Sequence, residues 1–210
     1  METSACGKVY QFRVRLLGVS PMIWRRVKLK DTTTIRELHY IMQSLMDWSD
    51  DHLNQFKIRS KSYGVYHSCG IIFDDNPDNV QLKDFNFMKT EKFIYEYDFT
   101  DNWRVELRLE EILREDPENQ YPLCTGGSRI APPEDCGGTW SFMELKDYYG
   151  PWRVDDDFFQ CLVKWKKGKI TFKDLQNEAE KLKYYVKQNL FKPNTATQKL
   201  QDYLLERKAE

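Results

Sequence analysis

Three stretches of this chain alternate apolar and polar residues with a period of two, the spacing that puts successive side chains on opposite faces of a strand. Tyr10, Phe12, Val14 and Leu16 alternate with Gln11, Arg13 and Arg15. Gly18-Val19-Ser20-Pro21 is turn chemistry, and Ile23 to Leu29 reads as a second extended run, so 9–29 is predicted as a β-hairpin. Arg25 and Arg26 are neighbours within it, so one of them must face inward or find a partner. A clearer hairpin follows. Phe93, Tyr95, Tyr97 and Phe99 lie on one face, and after Thr100-Asp101-Asn102 so do Trp103, Val105, Leu107 and Leu109. The opposite face carries Glu96 and Asp98 across from Arg104, Glu106 and Arg108, a pattern of cross-strand ion pairing.

Between the hairpins the period changes. Thr34 with Glu37 three residues on is a capping box, and Ile35, Leu38, Ile41, Met42 and Leu45 follow at helical spacing. His39 falls at the border of that apolar face, and Trp48 with Ser49-Asp50-Asp51 ends the helix. His52 opens a strand-like segment to Ile58. Residues 74–79 are six turn-forming positions that lack the glycine and closing glutamate of an EF-hand, so they read as a solvated loop. Residues 121–138 hold too many prolines and glycines for a helix or a central strand, and long ordered loops are often functional. From Thr171, Phe172, Leu175, Ala179, Leu182, Val186 and Leu190 mark a last long helix that Pro193 stops, with a short amphipathic segment at Leu200, Tyr203 and Leu204. The expected fold is α+β: an antiparallel, aromatic-rich sheet packed against two or three helices, among them 34–47 and 171–190. Residues 1–7 are expected to be a flexible N-terminus, 8–165 the domain, and 166–210 a helical extension packing on it.

Composition narrows the function classes. The 210 residues suit one domain with an appendage. Thirty-two bases against 33 acids remove the broad attraction that drives non-specific nucleic-acid binding. The charge is uneven: the balance is +1 over residues 1–100, −6 over 101–150 and +4 over 151–210. The basic end holds Lys164, Lys166, Lys167 and Lys169, with Lys181, Lys183 and Lys187 on the last helix; a solvated face is the default reading, and a local basic stripe the sharper one. No apolar run approaches membrane-spanning length and no secretory pattern opens the chain, so a cytoplasmic protein with no membrane partner is expected. Five scattered cysteines form no C-x-x-C pair and are expected to be small apolar groups, most of them buried.

The order of several short blocks is informative: Pro21-Met22-Ile23-Trp24-Arg25-Arg26, Leu38-His39, Trp48, His52-Leu53 with Phe56, Tyr97-Asp98-Phe99 with Asp101 and Trp103, Pro122 with Cys124 and Gly126, and Pro132-Pro133-Glu134-Asp135-Cys136-Gly137-Gly138. Over roughly residues 8–150 this set resembles the plasmid Ri open-reading-frame-three-like family. The resemblance implies an α+β fold and a shared polar patch rather than a reaction, and some members carry a resolvase-like label as transposon passengers. Trp24, Trp48, Trp103, Pro132, Pro133, Gly137 and Gly138 read as the structural part of the motif. The chain departs from the family at Asn54, where members often carry a second histidine, at Thr100, often glycine, and at Val105, often histidine; His-based catalysis is weakened accordingly.

His39, His52, Asp98, Asp101, Arg25, Glu134 and Asp135 form the candidate functional surface, with the His39/His52 region, the Asp98–Trp103 turn and the Pro-rich loop expected together. Ligand spacing favours no metal, no cofactor is implied, and no catalytic residue stands out. Nothing local activates Cys124 or Cys136 as a nucleophile. Asp98 and Asp101 read first as turn-capping groups. The leading expectation is a binding module for an unidentified protein or nucleic-acid partner, linked to mobile-element or nucleic-acid processes. The alternatives are a metal-dependent or acid–base hydrolase using the acidic cluster, and a DNA-binding accessory protein.

Overall fold

The computed structural model describes residues 7–66 and 72–209; the expected flexible N-terminus up to residue 6, together with Cys6 and Cys69, lies outside them. Among the described residues seven strands, β1 (Lys8–Leu16), β2 (Trp24–Lys30), β3 (Asn54–Ile58), β4 (Lys61–Tyr63), β5 (Lys92–Tyr97), β6 (Trp103–Arg114) and β7 (Leu123–Ser128), form one sheet in the order β4-β3-β5-β6-β1-β2-β7. Every pairing is antiparallel. The α-helices of the described residues are α1 (Ile35–Met46), α2 (Gly138–Tyr148), α3 (Pro151–Lys166), α4 (Phe172–Lys187) and α5 (Pro193–Ala209). No helix among the described residues is long and apolar enough to cross a membrane.

The period-two pattern sorts the sheet's faces. Phe12, Val14, Tyr95, Tyr97, Trp103, Val105 and Leu107 are fully buried on one face, and α1 covers it with Ile35, Leu38, Ile41 and Met42. Stacked or edge-on rings run through this layer, from Phe85 and Phe87 through Phe93 and from Tyr95 to Tyr97 and Trp48. The other face is an ion-pair ladder. Glu96 takes Lys57 at 2.8 Å and Arg104 at 3.6 Å; Glu106 takes Lys92 at 3.1 Å and Arg15 at 3.4 Å; Glu110 takes Arg26 through two bonds of 2.5 and 3.0 Å. The capping box of α1 closes as expected, Thr34 Oγ1 accepting from Glu37 N and Glu37 from Thr34 N.

Three features differ from the sequence reading. The Pro- and Gly-rich stretch contains a strand, β7, whose edge position tolerates Gly126 and Gly127 because only β2 flanks it. Residues 138–166 form two helices that no clear periodicity announced, α3 opening on Pro151. The 171–190 helix exists as α4, but its Leu182 and Tyr185 pack with Tyr149 and Val154 in a separate small cluster, and it meets the main core through Tyr184. The main core instead takes α5, through Ala196, Leu200 and Leu204, and α2, through Phe142.

Candidate functional site

Three loops converge at one end of the β3–β5–β6 ladder. Trp48, just past α1, stacks on Tyr97 with ring centroids 4.9 Å apart, and its indole N–H donates to the Pro132 carbonyl at 3.1 Å. The Pro-rich loop is thereby fixed against the sheet. Glu134 tightens the join: its Oε1 accepts from the Tyr97 hydroxyl at 2.6 Å, and its Oε2 accepts from Ser49 N and Ser49 Oγ at 2.8 and 2.7 Å. Burial, and then the neighbouring Glu134 carboxylate, raise the Tyr97 phenol well above its ordinary range, so it stays a donor.

The turn after β5 is built around Asp98. It sits at φ 52°, a left-handed conformation that Asp tolerates better than most residues, and its Oδ1 accepts from Thr100 N at 3.1 Å and Asp101 N at 3.3 Å. Asp101 in turn accepts from Gly137 N at 3.1 Å. Gly138 is required here: its φ is 75°, and a Cβ would run into the Asp101 carbonyl oxygen. The Gly137-Gly138 pair therefore lets the loop close on the turn.

His52 stands between the two. Its Nε2 is 3.2 Å from Asp135 and its Nδ1 is 3.9 Å from Asp98, while its ring meets Tyr97 edge-on. One donor atom each from His52, Asp98 and Asp135 lie within 4.8 Å of one another, and this is the group of metal-ligating side chains that the described residues bring together. Two carboxylates and an imidazole suit a divalent cation of the manganese-to-zinc range.

The remaining candidates are interior. His39 is fully buried, its Nδ1 2.8 Å from the Tyr95 hydroxyl and its Nε2 2.6 Å from Asp50, so it serves the core and not the surface. Arg25 is also buried, donating to the carbonyls of Leu45, Trp24 and Ser128. Its neighbour Arg26 faces the ion-pair ladder, as their adjacency in a strand requires. Trp103 is buried beside Trp48, and Trp24 lies on the polar face under the guanidinium groups of Arg13 and Arg26. Of the described cysteines Cys124 is buried and Cys136 and Cys161 half-buried. Burial raises the Cys124 thiol, and burial with the nearby Asp101 pushes Cys136 up to about 11, so neither is an activated nucleophile.

Tyr97 stands in one of the sequence blocks but not among the candidate surface residues, and Ser49 and Asp50 read there only as a helix end. Asn54 and Val105, two of the positions at which the resemblance marked a departure, are both interior: Asn54 exchanges hydrogen bonds with the Val65 backbone, and Val105 is packed in the core.

A second charged surface lies at the α3–α4 tip. Lys164, Lys166, Lys167, Lys169 and Lys173 are exposed there, and none forms an ion pair among the described residues. Trp165 and Phe172 are 44% and 58% exposed beside them, their rings 6.0 Å apart.

A model of the family described as plasmid pRiA4b ORF-3-like protein matches residues 8–186, beyond the 8–150 span of the sequence blocks. The chain is 29% identical over 143 residues to the uncharacterized protein y4hQ of Sinorhizobium fredii, covering 66% of this chain and 72% of that protein. The crystal structure of a protein of unknown function, MM3350 from Methanosarcina mazei Go1, superposes with a TM-score of 0.67 at 28% identity, covering 90% of this chain and 98% of the other. Neither relative's name states an activity.

Proposed function

The chain belongs to the plasmid pRiA4b ORF-3-like family, and on that premise we propose that it is a non-enzymatic binding module that engages single-stranded nucleic acid through the α3–α4 tip. One observation carries the reading: five lysines and no acid occupy residues 164–173, all five unpaired, with two exposed rings among them. The contrast with the sheet is direct, since Lys57 and Lys92 there are each held by a glutamate. Unpaired cations attract a polyanion, and exposed rings offer a stacking platform for unpaired bases. A near-neutral chain can bind this way because its charge is segregated, the three consecutive acids Asp155, Asp156 and Asp157 lying toward the opposite end of α3. The state of several other groups supports a module without chemistry of its own: burial raises the Cys124 and Cys136 thiols, His39 is enclosed, and Asp98, Asp101 and Glu134 bond the loops. A place in the cytoplasm and a link to mobile elements belong to the same proposal, the latter supported by the family's plasmid description.

The test is fluorescence anisotropy with a labelled oligothymidylate at low salt. Saturable binding is expected, with log K falling against log salt at a slope of about −3 for four phosphates contacted. Replacing Lys164, Lys166, Lys167 and Lys169 together by glutamate should abolish it, and Trp165→Ala should weaken it about tenfold. No binding at low salt, binding indifferent to the glutamate variant, or binding to anionic vesicles in place of the oligonucleotide overturns the reading.

A further inference from the structure

A cleft of about 410 Å³ opens between the end of α1, the Pro-rich loop, the end of α4 and the start of α5. Its walls are largely apolar, from Leu45, Met46, Pro132, Leu190, Phe191 and Ala196. Polar side chains line it too, and two of them, Arg25 and Tyr184, are left incomplete by the protein. Arg25, 1% exposed, gives Nε to Leu45 O at 3.2 Å and Nη1 to Trp24 O and Ser128 O at 2.8 and 3.0 Å, while Nη2 donates to no described residue. Its guanidinium lies over the Phe191 ring, 3.9 Å from the centroid. Carbonyls and a ring share the positive charge without cancelling it, and among the described residues no carboxylate is within ion-pair distance. The buried acids of the same sheet show the contrast: Glu96 and Glu106 each sit among two or more cations. The second group is the Tyr184 hydroxyl, which is buried and has no hydrogen-bond partner. A buried donor without an acceptor is destabilising unless something else fills the role. Lys192 and Lys199 also line the cleft, so the counter-charge there is limited to Asp47, already paired with Lys199 at 2.6 Å.

We propose that this cleft binds a small amphiphilic anion, its carboxylate or phosphate head taken by Arg25 Nη2 and the Tyr184 hydroxyl and its hydrocarbon body lying along the apolar walls. The volume falls in the range of ligand pockets, and both groups line the same cleft. The head supplies the acceptor that Tyr184 lacks and the negative charge that Arg25 lacks, and a guanidinium is suited to oxyanions of either kind. This site is separate from the α3–α4 tip and uses none of its lysines.

Titration calorimetry of the full chain with octanoate, octyl phosphate and 1-octanol tests it. One equivalent of an anionic probe is expected to bind, with 1-octanol at least tenfold weaker. The tighter of the two anions identifies the head group. Tyr184→Phe removes only an unpartnered hydroxyl, so its unliganded melting temperature should be unchanged or raised while affinity for the anion falls severalfold; Arg25→Met should lose binding altogether. Octanol binding as tightly as octanoate, Tyr184→Phe binding undiminished, or no saturable binding of either anion at millimolar concentration overturns the proposal. Oligonucleotide binding should be unaffected by Tyr184→Phe, so failure here and failure of the nucleic-acid reading are read separately.

Discussion

Single residues at the join between loop and sheet are over-determined by several contacts each. Trp103 is fully buried on the sheet's apolar face beside Trp48, so Trp103→Ala removes a large ring from a packed layer. Chemical denaturation should show a loss of about 3–5 kcal/mol, the usual cost of truncating a core aromatic. Trp103→Phe should cost less, because the indole N–H it removes is buried without a partner. Gly138 is constrained differently, by its left-handed φ and by the Asp101 carbonyl against it. Gly138→Ala should destabilise by about 1–3 kcal/mol, through strain and a clash that displaces the Pro-rich loop. A melting temperature equal to the parent's would show that the loop closes without the contact. What was legible in sequence at this scale was residue type: which histidines, acids and glycines matter to the loops. Their pairings were not, because His52 and Asp135, or Ser49 and Glu134, are brought together by tertiary closure across more than 80 positions. His39 is the instructive case. A histidine at the border of an apolar face reads as a surface group, but Tyr95 and Asp50 supply its partners from inside and at the edge of the core.

At the scale of elements, the hairpins and α1 were readable because local chemistry and tertiary burial agree: the same alternation that makes β5 and β6 strands makes one face the core. β7 was hidden because an edge strand can be built from Gly126 and Gly127, with the Trp24 ring near one and Phe191 against the other in place of side chains of their own. α2 opens on Gly137 in a left-handed conformation with no side-chain cap, so it offers none of the start signals that announced α1. The polar face of the sheet has its own pH dependence. Glu110 is bound by Arg26 through two hydrogen bonds, foremost among the influences that hold its carboxyl below the ordinary value of 4.5. A carboxylate with a lowered folded-state pKa contributes stability that is present above the unfolded value and is lost as pH falls through the folded one. Unfolding free energy should therefore decline as pH drops below about 4.5, and Glu110→Gln should make that decline shallower. With Arg26 over a third exposed, the difference between parent and variant at neutral pH should be about 1 kcal/mol or less. Parallel pH profiles for the two proteins would show that the pair carries no net stabilisation.

The whole molecule is organised out of chain order. The last helix, α5, closes the main core with Ala196, Leu200 and Leu204, whereas the helices before it, α3 and α4, are held by the small cluster of Tyr149, Val154, Leu182 and Tyr185. Strands laid down first and the helix laid down last therefore share one cooperative core, with the α3–α4 hairpin inserted between them. Cooperative units with fewer buried apolar groups open at lower free energy than the core they are attached to. Two leucines of equal size separate the cases. Leu200 is fully buried in the main core, so Leu200→Ala should lower global stability by about 2–5 kcal/mol and raise exchange of β-sheet amides with it. Leu182 is nearly as buried but sits in the small cluster, so Leu182→Ala should accelerate amide exchange in α3 and α4 while leaving β1, β5 and β6 at their parental protection. Equal loss of protection throughout the chain in the Leu182 variant would mean that the hairpin and the sheet unfold as one unit. A hairpin that opens on its own terms can also reorder its exposed lysines and rings around a flexible strand without disturbing the layer that carries it.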